Sequence, residues 1–224
     1  SAHEVGHTLG LAHNFAASVN QRASVMDYPH PYITLDTEGE MDFSQAYAVG
    51  MGEWDKRAIL YGYQHFPDDV DEAAALQGIL EENIRLGLLY LSDRDGRPSF
   101  AAHPHTHVWD NGESAVEELR RLSQVRAKAL SNFSAKNIPT GAPLATLEDV
   151  LVPLYLAHRY QAEAVAKSIG GVNYSYAVRG DGQIANEPVA PAAQREALSA
   201  LLETLKPGYL ALPERIIALI PPQP

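Results

Sequence analysis

The chain opens Ser1-Ala2-His3-Glu4-Val5-Gly6-His7-Thr8-Leu9-Gly10-Leu11-Ala12-His13, and the pattern H-E-x-x-H-x-x-G-x-x-H decides how the rest is read. His3 and His7 are four residues apart, a spacing that on a helix stacks both rings on one face, within reach of a single metal ion. Glu4 lies about 100° around the helix from His3. That places a carboxylate beside the metal but out of line with the ligands, where a base acting on water is needed. His13 follows His7 by six residues and on an unbroken helix would point roughly 120° away. The chain must therefore leave the helix, and Gly10 is where it can, because glycine takes the positive φ of a helix C-cap without steric cost. Three neutral imidazoles leave a fourth zinc position open, the mark of a catalytic rather than a structural centre. There is no cysteine in the 224 residues, so disulfides and thiolate ligands are excluded.

Thirteen residues after His13 stands Met26, within Ser24-Val25-Met26-Asp27-Tyr28-Pro29. The zinc motif followed by S-x-M-x-Y resembles the metzincin clan of zinc metallopeptidases. The resemblance implies a Zn2+ cofactor held by His3, His7 and His13, with Glu4 as the general base. It implies that Met26, in a tight turn, forms a hydrophobic floor beneath the metal, a place suited to a soft thioether packing against imidazole rings. It also implies that Tyr28 stabilises the reacting oxyanion, and that residues 30–42 help shape the substrate pocket. Trp54-Asp55-Lys56-Arg57-Ala58-Ile59-Leu60-Tyr61-Gly62-Tyr63 resembles the closing helix of such catalytic domains, through Asp55, Ala58, Ile59, Tyr61 and Gly62. Asn14-Phe15, Val108-Trp109-Asp110-Asn111-Gly112 and Ala157-His158-Arg159-Tyr160-Gln161 resemble a family of large bacterial proteins of the "Met-zincin" type. By that resemblance the protein is exported to the periplasm or beyond and hydrolyses a peptide or protein substrate.

Only Ser1 and Ala2 precede His3. By resemblance the upper half of the cleft, with the sheet edge that pairs with substrate, comes before the motif. The expectation is therefore a fragment that needs this N-terminal half as a partner and is inactive alone. The fold class expected is mainly α: the lower, C-terminal half of a metzincin-like zincin domain over residues 1–65, then a helical accessory domain over residues 66–224 with one small β-hairpin.

Periodicity and punctuation predict helices over about 1–9, 44–63 (interrupted by Gly50 and Gly52), 71–85, 113–133, 192–205 and 213–220. The longest rests on Val116, Leu119, Leu122, Val125, Ala129 and Phe133 at helical spacing. Thr146-Leu147-Glu148-Asp149 resembles a capping box opening a helix to about 169, kinked at Pro153. Residues 172–178 and 183–189 are expected to pair as a hairpin across Gly180-Asp181-Gly182. The Pro-rich end, residues 221–224, reads as a tail.

Seventeen basic and 28 acidic residues leave a formal charge of −11, and no basic patch stands out, which argues against nucleic-acid binding. No apolar run reaches the length of a membrane span. His103, His105 and His107 alternate as a second metal site could, but hydrogen-bonded structural histidines fit better, since no carboxylate stands at ligand spacing. Asp93-x-Asp95-Gly96 lacks the later ligands of a calcium loop and reads as a turn. His158 reads as a buried, hydrogen-bonded histidine, and Arg120, Arg121, Arg126 and Lys128 as a solvated helix face. Two other classes share the motif. One is a non-catalytic helical scaffold with a vestigial zinc site, which the retention of Glu4 argues against; the other is a zinc hydrolase of non-peptide amides.

Overall fold

A short helix, α1 (Ala2–Thr8), carries His3 and His7. It ends as the glycine requires. Gly10 sits at φ 86°, the Gly10 N–H donates to the His7 carbonyl (3.0 Å), and the Leu11 N–H donates to the Gly6 carbonyl (3.0 Å). This bond pair is the Schellman closure of a helix C-terminus. The computed structural model describes residues 1–222; Gln223 and Pro224, the end of the expected tail, lie outside the described residues.

The chain is mainly α, as expected. After α1 come α2 (Glu53–Tyr63), α3 (Glu72–Arg85), a single turn α4 (Asp93–Gly96) and the long α5 (Ala115–Asn132). Then follow α6 (Leu147–Tyr155), α7 (Arg159–Ala166), α8 (Pro191–Thr204), α9 (Pro207–Leu210) and α10 (Glu214–Ile217). Two small antiparallel ribbons complete it: β1 (Thr34–Leu35) with β2 (Met41–Asp42), and β3 (Val172–Asn173) with β4 (Glu187–Pro188). The first ribbon was not anticipated. The second is the base of the expected hairpin. Above that base Tyr174 and Tyr176 turn their hydroxyls onto Asp95.

Two apolar clusters hold the helices together. Val116 and Leu119 of α5 pack on Val165 of α7 and on Ala197 and Ala200 of α8. Leu130 and Phe133 at the other end pack on Leu147 and Leu151 of α6 and Ile216 of α10. Burying each of the larger aliphatic side chains contributes roughly 1.5–3 kcal/mol, so α5 is the axis of this part of the fold. Among the described residues, no helix is long and apolar enough to cross a membrane.

Several local expectations change. Residues 44–52 are not helical: Gly50 takes φ 89° and Gly52 is extended as the N-cap of α2. The helix expected to kink at Pro153 is instead interrupted at residues 156–158, and Thr146 donates its hydroxyl to the Pro143 carbonyl (2.7 Å) rather than capping. The basic face of α5 is only partly solvated. Arg126 is buried between the rings of Tyr155 and Tyr209 (4.8 and 4.5 Å) and donates to both their carbonyls. It lies on the same stripe as Leu119 and Leu130, where its long stem packs like an apolar side chain. His158 sits edge-on to Tyr209 (4.9 Å), and its buried Nδ1 makes no hydrogen bond.

Hydrogen bonds cross residue 66 close to the motif. Asn14 Nδ2 donates to the Leu89 carbonyl (3.0 Å), the Phe15 N–H to the Leu91 carbonyl (2.9 Å), and the His107 N–H to the Phe15 carbonyl (3.3 Å). The loop that delivers His13 is thus backed by residues 89–107.

Candidate metal centre

The three histidines of the opening motif meet. One nitrogen from each of His3, His7 and His13 lies within 4.8 Å of the others, and His3 Nε2 and His7 Nε2 are 3.1 Å apart. The far side of each ring explains the convergence. His3 Nδ1 is 2.7 Å from the Val25 carbonyl and His7 Nδ1 is 2.9 Å from the Leu11 carbonyl. His13 Nδ1 is 2.8 Å from Asp93 Oδ2. Carbonyl and carboxylate oxygens only accept, so each Nδ1 carries the proton and each Nε2 presents a lone pair. Lone pairs 3.1 Å apart repel unless a cation lies between them. Nitrogens about 2.0–2.1 Å from a tetrahedral zinc lie roughly 3.4 Å from one another, so the donor set fits such an ion.

Glu4 projects from α1 one residue past His3 and is exposed. Tyr28 is half-open to solvent; its ring lies 4.5 Å from that of His3 and its hydroxyl 3.3 Å from His13 Nε2. Met26 is completely buried beneath α1. A Cβ placed on Gly6 would stand 2.3 Å from Met26 Sδ, so the thioether occupies the space that a side chain between the two histidines would need. A glycine inside a helix costs about 1 kcal/mol relative to alanine, and close approach of the methionine is what requires it here.

The turn bearing Met26 is fastened by Asp55, a residue whose role the sequence did not reveal. Its buried carboxylate accepts from Ser24 Oγ (2.6 Å), the Val25 N–H (2.8 Å) and the Gly52 N–H (2.8 Å). One side chain therefore caps α2 and orients Val25, whose carbonyl in turn holds His3. Asp27, next to Met26, is buried as well. Burial pushes its carboxyl up to about 8, against the pull of the Tyr28 N–H. Asp110 is raised well above its ordinary value, by burial first and then by the negative charge of Asp27.

A profile of the Met-zincin family matches residues 1–223. The chain belongs to that family. Comparison with curated proteins and with solved structures returned no match. In this Met-zincin chain the stretches around Trp109 and Tyr160 meet: their rings are 4.2 Å apart, and both lie against His30, at 6.0 and 5.9 Å. Asn111 Nδ2 donates to the His30 carbonyl (3.0 Å). They hold the segment that leaves the Met26 turn.

A cavity borders the motif. That cavity, about 790 Å3, lies between residues 9–12, α2 and α3, and its walls include Trp54, Tyr61, Leu80, Ile84 and Tyr90. The segment 30–42 lies along α5, where Arg121 covers the Tyr32 ring at 4.3 Å and Lys128 pairs with Glu40 at 2.6 Å. The second histidine triplet is structural: His103 and His107 are buried and hydrogen-bonded. Among the described residues, His3, His7 and His13 are the one group of three that could hold a metal ion.

Proposed function

We propose that this Met-zincin chain carries the zinc centre of a metallopeptidase, with His3, His7 and His13 as ligands and Glu4 as the catalytic base. The observation that carries the reading is the set of three oxygen acceptors, Val25, Leu11 and Asp93. They turn three Nε2 lone pairs towards one point, the arrangement a cation would use. Zinc, when bound there, supplies Lewis acidity and lowers the pKa of water near it. Glu4 takes the proton from the attacking water as the new C–O bond forms, and delivers it to the leaving nitrogen as the C–N bond breaks. The Tyr28 hydroxyl, already beside His13, donates to the oxygen that gains charge. Met26, packed on Gly6, holds the floor and takes no part in the chemistry.

Glu4→Gln in the intact protein separates this reading from a scaffold with a vestigial site. We expect stoichiometric zinc to be retained while hydrolysis of an unfolded protein substrate falls by about 10²–10⁴-fold. Undiminished turnover in that variant overturns the proposal. Cleavage confined to small non-peptide amides would reassign the substrate but leave the centre intact.

A further inference from the structure

His3 and His7 are held by backbone carbonyls close to them in the fold. His13 stands in an irregular segment, and its Nδ1 partner comes from a side chain 80 residues away. We infer that Asp93 is a positioning residue of the metal centre, and that the turn 92–97, latched by Tyr174 and Tyr176, sets the metal affinity of His13 from outside the motif. The inference rests on the reading of the three histidines as metal ligands.

Three side chains close a ring with His13. Asp93 Oδ2 takes the His13 N–H at 2.8 Å while Asp93 Oδ1 takes Arg97 Nε at 2.5 Å. The Arg97 guanidinium lies 5.2 Å over Phe15, and Phe15 stacks on His13 at 5.1 Å. The imidazole is thus fixed at its edge by a carboxylate and across its face by a ring, and one arginine ties the two supports together.

The turn itself is riveted from three directions. The buried Asp95 carboxylate accepts from the Ser92 N–H (3.0 Å), the Tyr174 hydroxyl (2.7 Å) and the Tyr176 hydroxyl. The Asp95 carbonyl accepts from Thr106 Oγ1 (3.0 Å), and the Gly96 carbonyl from Lys167 Nζ (2.7 Å). Gly96 is pressed so closely on Phe15 that an added Cβ would stand 2.9 Å from the ring. An ordinary surface ion pair has no such foundation. A carboxylate accepting the second N–H of a metal-bound imidazole fixes its tautomer and raises its basicity, and removing such a partner weakens metal affinity by about 10–100-fold.

The test is competition for zinc between the full chain and a chromophoric chelator, run beside the visible spectrum of the cobalt(II)-loaded chain. Asp93→Asn is expected to weaken zinc binding by about 10–100-fold and to shift the cobalt bands, with Asp93→Glu recovering part of the loss. Tyr176→Phe, which touches no ligand, is expected to weaken binding in the same direction by less. Arg97→Gln supplies the same readout should Asp93→Asn fail to fold. If the Asp93 and Arg97 variants keep the original affinity and spectrum, Asp93 is only a surface anchor and the inference fails while the zinc reading stands. If the unmodified chain binds no zinc, both fail together.

Discussion

His3, His7 and His13 share their side-chain type with His103, His105 and His107, and both triplets have spacings that can face one metal. Their outcomes differ because of the nitrogen that faces away from the would-be ion. In the first triplet every Nδ1 donates to an oxygen, so every Nε2 is left as a lone pair. In the second, His103 Nδ1 accepts from the His105 N–H (3.1 Å) and its Nε2 is 3.1 Å from the Tyr174 carbonyl. His107 Nδ1 accepts from the Trp109 N–H (3.2 Å). His103 has spent both ring nitrogens on the fold, and His107 its Nδ1. A metal site is therefore read from the outer partners of its ligands as much as from ligand spacing.

The comparison can be broken most directly by deleting one member of each triplet. His7→Ala is expected to abolish stoichiometric zinc uptake in equilibrium dialysis, and His105→Ala to leave it unchanged. Equal losses in the two variants would erase the distinction between the triplets.

Acid should act on the second triplet through the fold. Burial, helped by neighbouring positive charge, lowers His103 and His107 from 6.5 to about 4 in the folded chain. The unfolded chain takes up protons at both rings below about pH 6.5, while the folded chain does so only near 4. Their contribution is thus fully present above 6.5 and is lost as pH falls through that window. The loss amounts to at most roughly 3 kcal/mol for each ring. Urea unfolding of the metal-free chain at a series of pH values measures it. His103→Gln should flatten the slope, and an unchanged slope would mean that burial does not hold the ring neutral.

The smallest effect sharpens what surrounds the first triplet. Gly6→Ala must displace Met26, at a cost of about 1–3 kcal/mol. Calorimetry should show a lower Tm, and zinc affinity should fall with it. A variant as stable as the parent would show that Met26 has room to move.

Much of the centre was legible because it is local. The two helical histidines, the break at Gly10 and the third histidine obey helix geometry within thirteen residues, and the structure reproduces each. The long helix α5 was legible for the same reason, through its apolar stripe. Asp93 was not, because a turn between distant elements carries no periodic signal, and an Asp-rich turn on the surface looks the same whether or not it supports a ligand. Arg126 was misread because residue type suggested solvent, whereas its place on the stripe with Leu119 and Leu130 decided burial. Residues 44–52 were misread because two glycines that looked like interruptions of a helix were the means of starting it late. Gly6 left a faint trace, a residue of poor helix propensity between two of the converging histidines, but nothing pointed to its partner.

The buried acids below the Met26 turn alter how the molecule behaves in an electric field. Burial pushes Asp27 up to about 8, so that carboxyl is mostly neutral at pH 7; burial raises Asp110 in the same direction. The formal −11 counts Asp27 as an anion; without that one charge the folded chain carries about −10. Its electrophoretic mobility at neutral pH should be lower than its composition suggests. As the buffer is raised past pH 8 and Asp27 ionises, the mobility should climb, well below the range in which exposed lysines and tyrosines titrate.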